Sequence, residues 1–153
     1  MNNAPTILAL DASSTTIGYV VYAGQVLAHG EHKLGGGDIA CRCQTAYNIL
    51  VLLLERWPAI DCVAIESPVA RFGGAVIPQA RVSGALMLAC AQQWKPICEV
   101  SPTAAKFALA GIGNASKSTM MARASAYGVI GEHASDALGV ALSACKQIQV
   151  VPV

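Results

Sequence analysis

Two apolar runs in this chain end in a carboxylate, Thr6-Ile-Leu-Ala-Leu-Asp11 and Cys62-Val-Ala-Ile-Glu66. An acid that leaves a hydrophobic strand is costly to desolvate and is tolerated where a cation or several hydrogen-bond donors stand beside it. A third set of ionisable side chains, Glu132, His133 and Asp136, lies near the other end of the chain. On a helix, His133 and Asp136 fall on one face. Neighbouring strand ends of an open sheet are where polar ligands gather, so Asp11 and Glu66 can share a cation if their strands are adjacent. Oxygen donors with one imidazole suit magnesium or manganese better than a metal that prefers soft ligands.

Each residue also has a plainer reading. Asp11 alone reads first as a turn residue that caps the backbone of Ser13 or Thr15. His133 and Asp136 can be residues of a helix start, where an acid complements the helix dipole. Glu66, close before Pro68, has no such local task. Lys106, Lys117 and Arg123 read as solvated helix faces, and His29 and His32 as exposed strand residues. Trp57 and Trp94 close helices shortly before a proline and read as packing anchors.

The elements that must position these groups follow from the apolar pattern. Residues 6–11, 17–22 and 25–34 read as three strands of an antiparallel meander, ended by Gly35-Gly-Gly37. Helical spacing of Ile39, Cys43, Ala46, Ile49, Leu50, Leu53 and Leu54 predicts a helix from Asp38 to Trp57, stopped by Pro58. A strand over 61–66, a loop over 68–77, a helix over 79–94 and a strand over 96–100 follow. Ser101-Pro102 opens the next helix. After a break at 111–114, helices run from about Ser116 to Ala126 and from about Ala134 to Gln147. The order β-β-β-α-β-α-β-α-α-α describes an α/β fold, a mixed five-stranded sheet with helices on both faces.

With 153 residues and no internal repeat or linker, the chain reads as one domain, 1–153. Hydrophobic residues make up 54% and charged ones 12%, and the formal charge is +1, so net charge alone attracts no polyanion. Cysteines at 41, 43, 62, 90, 98 and 145 lack zinc-finger spacing and read mostly as reduced core residues. With no basic segment and apolar stretch of a secretory leader, and no apolar run beyond Ile49–Leu54, a cytoplasmic protein without a membrane span is expected.

Five segments in order resemble the RuvC-type Holliday-junction resolvases of the ribonuclease H and retroviral integrase superfamily. They are Ile7-Leu-Ala-Leu-Asp-Ala-Ser-Ser-Thr-Thr-Ile-Gly-Tyr19; Val63-Ala-Ile-Glu66; Gln79-Ala-Arg-Val-Ser-Gly84; Ser101-Pro-Thr-Ala-Ala-Lys106 with Gly113-Asn-Ala-Ser-Lys117; and His133-Ala-Ser-Asp-Ala137. The resemblance covers nearly the whole chain and implies a ribonuclease H-like fold. It also implies a homodimeric endonuclease that cuts two opposed strands of a four-way DNA junction, one per subunit. Asp11, Glu66, His133 and Asp136 match the family's metal-binding and catalytic positions, the third of which is an acid or a histidine in relatives.

Two divalent cations (Mg2+, with Mn2+ able to substitute) would activate a water and stabilise the leaving oxygen, ~4 Å apart. Asp11 would bridge them, Glu66 would hold the one near the leaving group, and Asp136 with His133 the one that carries the attacking water. Alternatively, His133 would accept a proton from that water. Lys106, Lys117 and Ser116 match phosphate-contacting positions, and Arg71 and Arg81 would extend the track. Phe72 is the candidate for a base-stacking wedge, although it stands further from Glu66 than is usual and Val69 holds the nearer position.

The helix at 79–94 has more apolar surface than one core face uses, and a subunit interface would bury the rest. Three other readings compete. One is a broader branched-DNA or RNA-processing nuclease, and another a non-catalytic junction-binding module. The third follows from a resemblance of residues 11–18 to the first phosphate loop of actin-like and sugar kinases, but this chain has no second such loop.

Overall fold

The computed structural model describes residues 4–69 and 74–150. Strands β1 (Ile7–Ala12), β2 (Thr16–Tyr22) and β3 (Val26–Lys33) form the antiparallel meander, and β4 (Cys62–Glu66) and β5 (Ile97–Val100) add in parallel beyond β1. The sheet order is β3-β2-β1-β4-β5. The β1–β2 turn is closed by Ser13, whose hydroxyl accepts from the backbone N–H groups of Thr15 at 3.2 Å and Thr16 at 3.0 Å. Ser13 therefore does the capping that the plain reading assigned to Asp11, and the aspartate is left for other partners.

Every residue of β1 is buried because both faces of the sheet are covered. Ile7 and Ala9 enter the core beneath α3 (Pro102–Ala110), α4 (Lys117–Ser125) and α5 (Glu132–Val150). Leu8 and Leu10 enter the core beneath α1 (Ile39–Arg56) and α2 (Val76–Gln92). α1 begins where Asp38 accepts from the Cys41 N–H at 2.9 Å, and it buries Ala46, Leu50, Leu53 and Leu54. The buried side of α5 is mostly alanine, with Ala134, Ala137, Ala141 and Ala144 fully enclosed. Small side chains let this helix lie close to the strands, which brings its first turn to the end of β1.

Several expectations need correction. α2 starts at Val76 rather than 79, with Pro78 in the first turn, where its missing N–H has no helical partner to lose. α5 starts at Glu132, two residues earlier than expected, and runs on to Val150. Trp57 is half-buried against the α1–α2 core, but Trp94 is 91% exposed and no packing anchor. Its φ of 54° puts it in the left-handed position that ends α2, where the Lys95 N–H returns to the Cys90 carbonyl. His32 is exposed and stacks on Tyr19, but His29 is half-buried and accepts from the Ile130 N–H at 3.4 Å. Of the cysteines, all unpaired, only Cys62 and Cys90 are buried; Cys43, Cys98 and Cys145 are half-buried and Cys41 is exposed. Among the described residues no helix is long and apolar enough to cross a membrane.

Candidate active site

Strand register sets out the site. Leu10 pairs with Ile65 in the parallel β1–β4 ladder, so Asp11 and Glu66 stand side by side one residue further on. On the other side of β1, Asp11 pairs with Gly18 of β2, and Gly18 pairs with Glu31 of β3. The row Glu31–Gly18–Asp11–Glu66 thus crosses four strands at one end of the sheet.

The first turn of α5 lies over the middle of that row. His133 Nδ1 is 2.9 Å from Oδ2 of Asp11, a hydrogen bond in which the ring N–H donates to the carboxyl oxygen. The approach depends on Gly18, because a Cβ there would overlap the backbone carbonyl of His133. The His133 N–H donates to Glu31 Oε1 at 2.8 Å and the Ala134 N–H donates to the same oxygen at 3.2 Å.

Burial and mutual repulsion disturb the acids. Burial raises the Glu66 carboxyl to about 9, reinforced by its hydrogen bond to Asp11 and by the charges of Asp11 and Asp136, while Lys106 pulls it down. Burial also raises Asp136, to about 6; Asp11 and Glu132 add to the effect, and His133 and Lys106 oppose it. The His133 ring is raised, chiefly by the hydrogen bond to Asp11, against the effect of burial. Glu66 and Asp136 therefore stand where too little positive charge is present to favour their ionised forms.

Of the other residues singled out in the sequence, Lys106 on α3 is half-buried and close enough to lower both Glu66 and Asp136. Lys117, at the start of α4, is exposed and paired with Glu132. Ser116 is the N-cap of α4: its hydroxyl accepts from the Thr119 N–H at 3.2 Å and also meets the hydroxyls of Ser118 and Thr119. Arg81 is exposed on α2. Arg71 and Phe72 lie outside the described residues. Val69 is 44% exposed.

The donor set of three carboxylates and one imidazole fits a hard divalent cation, which would let the acids ionise together. Among the described residues, no three acidic, histidine or cysteine side chains close around one point as a finished cage. The contacts are pairwise, Asp11 with His133 and Asp11 with Glu66, and Asp11 is central to both.

Sequence reasoning passed over Glu31 and Gln79. Gln79 Nε2 donates to the Ala12 carbonyl at 3.1 Å and ties the first turn of α2 to the residue after Asp11. Its place in the segment Gln79–Gly84 was a signal. For Glu31, on an exposed edge strand, there was none.

The sequence pattern of the family "Crossover junction endodeoxyribonuclease RuvC" matches residues 7–144. Solved structures similar to this fold include two of the same bacterial protein. RuvC of Thermus thermophilus has a TM-score of 0.77 at 21% identity, over 94% of this chain and 96% of that one. The Thermus thermophilus RuvC in complex with a Holliday junction substrate has a TM-score of 0.78 at 22% identity, over 91% and 92% of the two chains. By the family pattern that spans nearly all of its elements, this chain belongs to the RuvC family of crossover junction endodeoxyribonucleases.

Proposed function

We propose that this chain resolves four-way DNA junctions in the cytoplasm by paired nicks, one from each subunit of a homodimer, with two Mg2+ ions per site. The observation that carries the reading is the convergence of Asp11, Glu66, Asp136 and His133 at one sheet end in a member of a metal-dependent nuclease family. Junction binding by the Thermus thermophilus relative supports the choice of substrate.

Asp11, Glu66 and Asp136 would hold the cations, with Asp11 in the bridging role that its central contacts suit. Bound there, divalent ions would supply Lewis-acid stabilisation of the leaving oxygen and would lower the pKa of a water so that it can give up a proton and attack phosphorus. The chain's own part is positional. Asp11 is buried, with Glu66 and Asp136 half-buried beside it, and the Asp11–His133 hydrogen bond orients the ring and leaves Nε2 as its second functional nitrogen, for a cation or a proton. Lys106 offsets acidic charge and, with Lys117 and Ser116, offers contacts to DNA phosphates; Arg71, Arg81 and a stacking Phe72 would extend that surface.

Dimerisation has support in α2. Val82, Leu86 and Ala89 pack into the core, whereas Ile77, Ala80, Gly84, Met87, Leu88 and Ala91 are exposed and recur at helical spacing as one stripe. A two-fold contact along it would hold two sites at a fixed distance.

The test is incubation with a labelled four-way junction, linear duplex, flap and RNA hybrid, with Mg2+ or with chelator. Symmetric Mg2+-dependent nicks in the junction alone are expected. Equal cutting of flaps would widen the assignment to branched DNA, and binding without cutting would replace it with a junction-binding module.

A further inference from the structure

Glu31 is an exposed acid on the edge strand, outside the Asp11, Glu66, His133 and Asp136 set. Its Oε1 nevertheless accepts two backbone N–H groups, those of His133 and Ala134, from the first turn of α5. The initial N–H groups of a helix have no partner within the helix, and a side chain at the N-cap commonly supplies one. Here residue 131 is a glycine with φ of +112°, and a Cβ on it would run into the Glu31 carboxylate. The strand thus provides, from 102 residues away, the cap that Gly131 has no side chain to make.

His133 is consequently held twice, by its backbone to Glu31 and by its ring to Asp11. Both anchors belong to the same register row, Glu31–Gly18–Asp11, two strand spacings apart or roughly 10 Å. Gly18, between them, is where the first turn of the helix comes hard against the sheet. We propose that Glu31 is a positioning residue for the cation site: it fixes the first turn of α5, so that the His133 ring and Asp136 are presented to Asp11 in one arrangement. This inference rests on the reading of that site as a cation-dependent nuclease centre. A mere helix cap would stabilise α5 without setting the site, and the two roles separate experimentally.

The full chain, Glu31→Ala and Glu31→Gln are compared in three measurements. These are Mn2+ binding by calorimetry without DNA, amide exchange along α5, and junction nicking with kcat and KM resolved. Loss of an outer contact that orients the side chains of a metal site lowers metal affinity or activity by about 10- to 100-fold. That loss is expected for Glu31→Ala, together with faster exchange at His133 and Ala134 but not at Ala141 or Ala144, and with a lower kcat at unchanged KM. Glu31→Gln keeps an acceptor oxygen and should recover most of both effects. Unchanged Mn2+ affinity in Glu31→Ala overturns the proposal, as does exchange that quickens equally along the whole helix. If the unaltered chain fails to nick junctions while Glu31→Ala still weakens Mn2+ binding, the junction assignment falls and the positioning role stands.

Discussion

Nδ1 of His133 lies 2.9 Å from Oδ2 of Asp11, although 122 residues separate them. The contact joins the end of the first strand to the start of the last helix. Hydrogen bonds of this kind, to a charged group, contribute about 1.5–3 kcal/mol, so it matters to the fold as well as to the site.

Asp11→Asn keeps the shape of the side chain and removes its charge. If Asp11 holds both cations, nicking should fall on the order of 10³-fold, a loss of several kcal/mol of transition-state stabilisation. Junction affinity in chelator should stay the same, since phosphate contacts lie elsewhere. Parallel cleavage and gel-shift assays check this, and a variant that cleaves within tenfold of the parent rejects the metal assignment.

Gly18→Ala tests the close approach of α5. The added methyl would overlap the His133 backbone, and the neighbouring atoms are main chain that cannot rotate away. Overpacking of this kind costs about 1–3 kcal/mol, and a displaced α5 would carry His133 and Asp136 from Asp11. The expected result is a lower denaturant midpoint together with lost nicking; unchanged values for both would mean that the helix does not rest on Gly18.

The acids predict a pH dependence of the metal-free protein. Glu66 keeps its proton up to about 9 when folded but loses it near 4.5 when unfolded, so between these values the folded state holds the extra proton. Stability therefore falls as pH rises through that window. Asp136 adds the same sign between 3.8 and about 6. His133, raised by Asp11, contributes stability below 6.5 that is lost as pH passes its folded value. Denaturant midpoints should drop from pH 5 to pH 9, and Glu66→Gln should flatten the profile and raise stability at pH 8. Mg2+ should bind more tightly at pH 8 than at pH 6 and release protons, as read by calorimetry in two buffers.

Leu88→Glu tests the stripe on α2. Leu88 is 54% exposed, so the substitution does not disturb the core. If the stripe joins two subunits, sedimentation should show a monomer, and the two nicks in a junction should lose their coupling while single nicks persist. A variant that remains dimeric moves the interface elsewhere.

The order of the ten elements was legible in the sequence because it depends on short-range properties: apolar period, glycine and proline breaks, and caps such as Asp38 and Ser101. Asp11, one residue before the end of β1, and Glu66, at the end of β4, were legible for the same reason, since a carboxylate after an apolar run stands out without any knowledge of its surroundings. Tertiary structure decided which contacts these residues make. Ser13 took over the turn, which left Asp11 to His133. Register aligned Glu31, Gly18 and Asp11 across three strands, and alanine packing brought α5 down upon them. Nothing local to Glu31 marks it as a cap for a helix 102 residues later, and nothing local to Trp94 says that it faces solvent. Such contacts arise only when two cores, one on each face of the sheet, close together and fix the strands and helices against one another.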